Sequence, residues 1–305
     1  MSTRFILPSF RTIMQSLLRP ADPARLRFFE AAFALSFACY MVSRFLHAEE
    51  WLTAAGFHYT AENYYTGEGP PFPLLPLWAA NLLGLGLFLA VAALVMGLWR
   101  RAMLWAILAV AVYVNYADTA AAAALNRIYI VVFAMLATAP APVRLPDGQM
   151  RQTIAPVRII QAFVCVFYVG AGLSKAWHGS WLSHGDAVWH NIQGVYRTDF
   201  AAWCLAHLPM VVFYVFHWGA LIFELGAPLL LGVRKLRVIG VPLGLVLHLS
   251  IALMFSTIVW FSLQMACFYI LFIPEAFWRR MRVRIREVVF SNFPGAAVAT
   301  VSRST

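Results

Sequence analysis

The chain has 305 residues, 62% of them apolar and only 12% charged, with a mean hydropathy of +0.74. That is too little polar surface to dissolve a globule of this size, which excludes a soluble enzyme or a disordered chain and leaves an integral membrane protein. The 23 basic against 13 acidic residues lie between apolar runs and not in one patch, so they read as topology signals, and nucleic acid is not an expected partner.

Taken in chain order, the first 27 residues carry Arg4, Arg11, Arg19, Arg25 and Arg27. They lack the apolar core and small-residue cleavage site of a secretory signal. Residues 1–27 are therefore expected to be a cytoplasmic segment, with Phe10 to Leu18 lying on the membrane surface. Apolar runs of spanning length follow at 28–46, 74–98, 102–120, 127–142, 157–176, 210–232, 238–255 and 257–277. The last two form one apolar stretch of about 40 residues, twice the roughly 20 that a bilayer core takes; Ser256 and Thr257 offer the turn that divides them. The expected fold class is all-α, a polytopic bundle of about eight transmembrane helices over 28–277. A basic cytoplasmic tail (278–305) follows, its last 15 residues expected to be disordered.

Short basic loops set the orientation. The arginine-rich start, Arg100 and Arg101, Arg144 with Arg151 and Arg158, Arg234 with Lys235 and Arg237, and Arg279 to Arg286 fall on one side, which the positive-inside rule makes cytoplasmic. Both termini are then cytoplasmic. The loop 47–73, with Glu49, Glu50, Glu62 and Glu68, and the loop 177–209 face outward, and a bacterial inner membrane is the expected location. Cys39, Cys165, Cys204 and Cys267 contain no CxxC pair, which gives no support to a disulfide framework or a thiolate metal site.

An ionisable group near hydrocarbon must be solvated by a partner or a water-filled cavity, so the polar residues inside the spans are the candidates for chemistry. Lys175 ends the fifth span, inside YVGAGLSKAWHGSWLSHG (168–185). Arg44 lies near the outer end of the first, Asn115 and Asp118 near that of the third, and Asn126 and Arg127 open the fourth. His217 and His248 each lie about seven residues from the outer ends of their spans and share a depth. Glu224 follows His217 by two helical turns, on the same face but deeper. The outer half of the bundle thus holds both signs of charge, as a polar cavity open to the outer face requires.

Structural roles compete with each of these. Lys175, Arg44 and Arg127 can snorkel to the interface, Asp118 and Arg127 can form a structural ion pair, and the two span histidines can be interhelical hydrogen-bonding glue. Glu224 sits too deep to snorkel on its short stem. Trp177, Trp181 and Trp189 either anchor the interface or wall a site for a flat lipid-soluble ligand. His178, His184 and His190 would point to three faces of a helix, and His217 with His248 lacks the further ligands of a haem or metal site. Nothing matches a phosphate loop, a nucleophile elbow or a zinc helix, so neither metal nor nucleotide is expected.

Three stretches carry a family resemblance: RIIQAFVCVFYVGAGLSKAWHGSWLSHGDA from Arg158, FHWGALIFELGAPLLL from Phe216 and LHLSIALMF from Leu247. They resemble the transmembrane region of the vitamin K-dependent gamma-glutamyl carboxylases and their bacterial relatives, the HTTM (horizontally transferred transmembrane) proteins. The likeness covers about residues 10–280, and its most specific run has Arg158, Gln161, Tyr168, Gly172, Lys175, Trp181 and Gly185 in order.

The resemblance implies a carboxylase-like membrane lyase or oxygenase in which Lys175 is the base that deprotonates a reduced quinone cosubstrate on the extracytoplasmic side. Lys175, His217, His248 and Glu224 are then the candidate catalytic residues, the histidines as proton carriers or ligand holders. Arg127, Asp118, Asn115, Tyr168 and Trp181 are the candidate substrate contacts, with Arg127 beside Asp118 tuning the local field. The expected substrate is a quinone- or isoprenoid-like lipid-soluble molecule. Two departures bear on this: no large lumenal peptide-binding domain is expected here, and the spacing from Lys175 to Gly185 is looser than in the carboxylase, which argues against vitamin K itself. The rival class is a non-catalytic accessory for maturation or export of a partner peptide, or a small transporter. A transporter is expected to show broken helices and an internal repeat.

Overall fold

Backbone N–H and C=O groups in hydrocarbon must be satisfied within the segment, so long apolar runs become helices. The computed structural model describes residues 10–56, 72–117, 124–146, 148–178 and 181–292, and these are nearly all helical. A short amphipathic helix α1 (Phe10–Leu18) precedes α2 (Ala24–Leu46), the brief α3 (Ala48–Leu52), α4 (Leu77–Val95), α5 (Arg100–Ala117) and α6 (Ala124–Thr138). Then come α7 (Ala155–His178), two loop helices α8 (Ala187–Asn191) and α9 (Asp199–His207), α10 (Met210–Gly232) and α11 (Arg237–Met254). The described chain closes with α12 (Val259–Phe268), a 3-10 turn at Tyr269–Phe272, and α13 (Glu275–Asn292).

Five helices, α2, α4, α7, α10 and α11, are long and apolar enough to cross a membrane, which suits an integral membrane protein. A sixth crossing arises if α12 and α13 are taken as one span, although the two are bent by 103°. The expected third and fourth spans correspond to α5 and α6, which pack on each other; α6 has 15 residues, a rise of about 22 Å. At the division expected near Ser256, α11 does end at Met254 and α12 begins at Val259. The turn between them is stitched to the loop before α9: Thr198 N donates to Met254 O at 3.1 Å and Ser256 N to Tyr196 O at 3.0 Å. The basic segment that begins near 278 is helical as far as Asn292, as part of α13.

The core is an aromatic column. Phe29, Phe33 and Phe37 recur every four residues on one face of α2 and interleave with α6 and α12. Phe33 lies 4.9 Å from Tyr129, 5.3 Å from Phe133 and 5.3 Å from Phe268 between ring centres. Below this column Glu30, 2% exposed, accepts from Arg100 Nε at 2.8 Å and from Arg27 Nη1 at 3.2 Å, and its other oxygen accepts from Arg100 Nη2. A small antiparallel sheet at the same end, in the order β1 (Pro20–Ala21), β3 (Met150–Thr153), β2 (Val143–Arg144), ties the entry of α2 to the α6–α7 connection. Pro20 lies opposite Thr153 and Val143 opposite Arg151. Helix α13 docks on α2 through Phe28 and Trp278, 5.0 Å apart, and through Arg282, which donates to Asp22 Oδ2 at 3.0 Å.

Candidate functional site

Three helix faces meet on the other side of the bundle. On α7, Tyr168, Gly172 and Lys175 stand at i, i+4 and i+7, one face. The buried seam of α10 runs His217, Ala220, Glu224, Ala227, Leu231, and that of α11 runs Gly240, Gly244, His248. Two glycines let these faces close. A Cβ at Gly172 would stand 2.9 Å from Leu225 Cδ2 and 3.2 Å from Glu224 Cβ, and a Cβ at Gly244 would overlap the Tyr269 hydroxyl. With no side chain at either place, α7 approaches α10, and Tyr269 reaches over α11 towards Tyr168.

The closure makes two polar constellations. Lys175 Nζ donates to Glu224 Oε1, an ion pair whose side chains are 30% and 8% exposed. Glu224 Oε2 is buried with no hydrogen-bond partner among the described residues. Beside the pair, His248 Nε2 and the Tyr168 hydroxyl are hydrogen-bonded at 2.6 Å, and the Tyr168 and Tyr269 hydroxyls also at 2.6 Å. Whichever way the protons run along that chain, His248 Nδ1 has no partner among the described residues.

These groups open on a cavity of about 520 Å³, within the roughly 300–1,000 Å³ of small-molecule sites. Its walls are mainly apolar, with Phe167, Phe213, Phe216, Leu247, Phe255 and Phe261, and its polar lining includes Lys175, Glu224, Tyr168 and His248 with Asn191, Tyr196 and Ser250. Trp181 closes one side. The Lys175 ammonium lies 4.9 Å from the centre of its ring, a cation–π distance. Behind it His217 stacks on the indole at 4.5 Å and donates from Nε2 to Trp181 O at 2.8 Å. Since a carbonyl can only accept, that bond places the His217 proton on Nε2.

Five of the nine expected site residues, Lys175, Glu224, His248, Tyr168 and Trp181, therefore line one cavity. His217 does not line it and acts through Trp181. The two histidines of equal depth have separate partners, Trp181 O and the Tyr168 hydroxyl. Asn115 is buried on α5 with Oδ1 unpartnered among the described residues, and Arg127 is exposed on α6; neither lines the cavity. Asp118 lies outside the described residues. Tyr269 and Gly244 were missed by the sequence reading. The signal was there in the Gly240, Gly244, His248 repeat at four-residue spacing, a stripe along which another element can come close.

Chemically, the cavity suits a flat apolar molecule carrying one or two polar atoms. Lys175, whose side chain is 30% exposed, is the charged group best placed to meet it, and the Lys175–Glu224 pair can exchange a proton with it, while Glu224 Oε2 and His248 Nδ1 are themselves buried. Among the described residues no group of three or more His, Cys, Asp and Glu side chains is placed to hold a metal ion. Comparison of the chain with models of protein families, with curated proteins and with solved structures finds no match.

Proposed function

We propose that the chain is an integral membrane enzyme of the vitamin K-dependent carboxylase-like, HTTM type, which abstracts a proton from a quinone- or isoprenoid-like lipid-soluble substrate with Lys175 as base. The observation that carries this reading is the Lys175–Glu224 pair in the wall of a largely apolar cavity, with one buried carboxylate oxygen left without a partner among the described residues. An ion pair held only for stability gains most when every lone pair is satisfied; here, among the described residues, one buried carboxylate oxygen goes unsatisfied beside the cavity.

The proton steps follow from the residues present. In water-poor surroundings the pair is neutral overall whether the shared proton rests on Lys175 or on Glu224. With the proton on Glu224, Lys175 Nζ is a free amine and takes a proton from a substrate O–H; the ammonium then faces the negative charge it has created, which the low dielectric makes a strong stabilisation. Tyr168, between His248 and Tyr269, holds or passes a further proton. A reduced quinone as cosubstrate would supply an ionisable O–H and reducing electrons, and Lys175 in the cavity wall fits such a head group. Trp181, steadied by His217, walls the flat face. The basic loops support a topology of eight spans with both termini cytoplasmic and Lys175 on the extracytoplasmic side, in a bacterial inner membrane.

Mass spectrometry of the gently purified protein tests the reading. A quinone or isoprenoid present with the native chain and lost with Lys175→Ala is the expected result; ordinary lipids in both, with the fold intact, would sink it. That second outcome would favour a non-catalytic accessory to a partner peptide. This alternative draws on the apolar surface of the outer loop, where Trp177, Val195, Tyr196 and Trp203 are 80%, 91%, 57% and 51% exposed.

A further inference from the structure

At the end of the bundle opposite the cavity's charged pair, the starts of α2, α7 and α11 bring arginines together. Arg25, in the first turn of α2, is only 8% exposed, and its Nε has no hydrogen-bond partner among the described residues. The charges acting on it are Glu275 and two like charges, Arg158 and Arg237. Arg237 in turn feels Arg158 and Arg234.

The carboxylates nearby are already engaged. Asp22 accepts from Arg282 at 3.0 Å and from Ala24 N at 2.8 Å, and Glu275 accepts from Asp22 N at 2.9 Å. The arginines, by contrast, reach neutral acceptors: Arg158 Nη1 donates to Gln161 Oε1 at 3.2 Å, and Arg237 Nε to Leu231 O at 2.7 Å. Three guanidinium groups thus share a corner in which Asp22 is taken by Arg282 and Ala24 N, and in which Glu275 is the carboxylate that acts on Arg25. A buried, unsatisfied guanidinium N–H is costly, and so is crowding like charges in a poor dielectric.

We infer that Arg25, Arg158 and Arg237 bind a phosphate group. Its several oxygens match the planar donors of arginine, and its charge offsets theirs. An anionic lipid headgroup is the source that the surroundings favour: Ile159, Val238 and Ile239, next in sequence to two of the arginines, are 49%, 75% and 53% exposed and offer acyl chains an apolar track along α7 and α11. Basic corners between helix ends on the basic side of a membrane protein suit such headgroups. A soluble phosphate compound offers the same chemistry without the chains.

Native mass spectrometry of the full chain in detergent, with added phosphatidylglycerol or phosphatidylcholine, reads the site. Phosphatidylglycerol should be retained in preference. Arg158→Gln and Arg237→Gln should each lower that retention about fivefold, the worth of roughly one basic contact. Arg158 is exposed, so its variant keeps the test sound even where Arg25→Gln does not fold. Calorimetry with inorganic phosphate separates the sources: binding of phosphate without lipid preference, lost in the same variants, upholds the arginine site and assigns it to a soluble ligand. Equal retention of the two lipids with no phosphate binding, or a lipid preference unchanged in the Arg158→Gln, Arg237→Gln double variant, overturns the inference.

Discussion

Two buried glutamates sit in this bundle, each joined to a cation from another helix, and they are built differently. Glu30 on α2 has both oxygens occupied: Arg100 grips it with two nitrogens and Arg27 adds a third donor. Glu224 on α10 has one oxygen on Lys175 and the other without a partner among the described residues. The Glu30 clamp lies beneath an aromatic column, with its side chain 2% exposed; the Glu224 pair lines a cavity. A carboxylate with both oxygens engaged by its own protein fastens helices together, whereas one with an oxygen unengaged beside a cavity can change its proton or its partner when something arrives.

The contrast can be broken by mutation. Arg100→Ala should have the largest effect on stability, about 3–5 kcal/mol, because it strands a buried carboxylate with only the more exposed Arg27; thermal unfolding in detergent measures it, and a loss no larger than that from Lys175→Ala would erase the distinction. Gly244→Ala should cost about 1–3 kcal/mol through overpacking against Tyr269, while Gly86→Ala, where nothing lies near, provides the control. Tyr168→Phe should cost about 1–2 kcal/mol, since the His248 and Tyr269 groups it joins lose their common partner. The smallest stability change is expected for Lys175→Met combined with Glu224→Leu: about 1 kcal/mol or less in either direction, with retention of the lipid-soluble ligand abolished. A double variant that still retains the ligand would show that the open pair is not what the ligand meets.

Much of this arrangement could be read in the chain, and the unreadable part has a common cause. Lys175 and Glu224 stand out in any apolar run, and the four-residue and seven-residue steps that put His217 and Glu224, or Tyr168 and Gly172, on shared faces are helical geometry. Helical register says which face a residue is on, but not which helix that face will meet. So the sequence placed Arg127 among the groups of the site and gave Lys175 no particular partner, whereas the structure pairs Lys175 with Glu224 and leaves Arg127 exposed on α6. Depth likewise placed His217 and His248 side by side, and their partners lie on different elements. Glu30 and Arg100 are 70 residues apart, one inside an apolar run and the other in a basic loop that topology alone seemed to explain. Tyr269 was hidden differently: in an apolar span a tyrosine counts with the hydrocarbons, and only the close approach at Gly244 exposes its hydroxyl as the third member of a chain.

Helix α2 also has a history in time. Its aromatic face is completed by Phe268, and its entry is held by Trp278 and Arg282, residues that leave the ribosome long after it does. Arg282 follows Asp22 by 260 positions, roughly 13–50 s of synthesis at about 5–20 residues per second. Within that interval α5 and α6 bring Arg100, Tyr129 and Phe133 to α2, but Phe29 still faces lipid or makeshift neighbours where Phe268 will pack. The first long apolar helix is thus among the last to be finished, and a ribosome halted after α11 would leave behind an inserted protein with α2 incompletely packed.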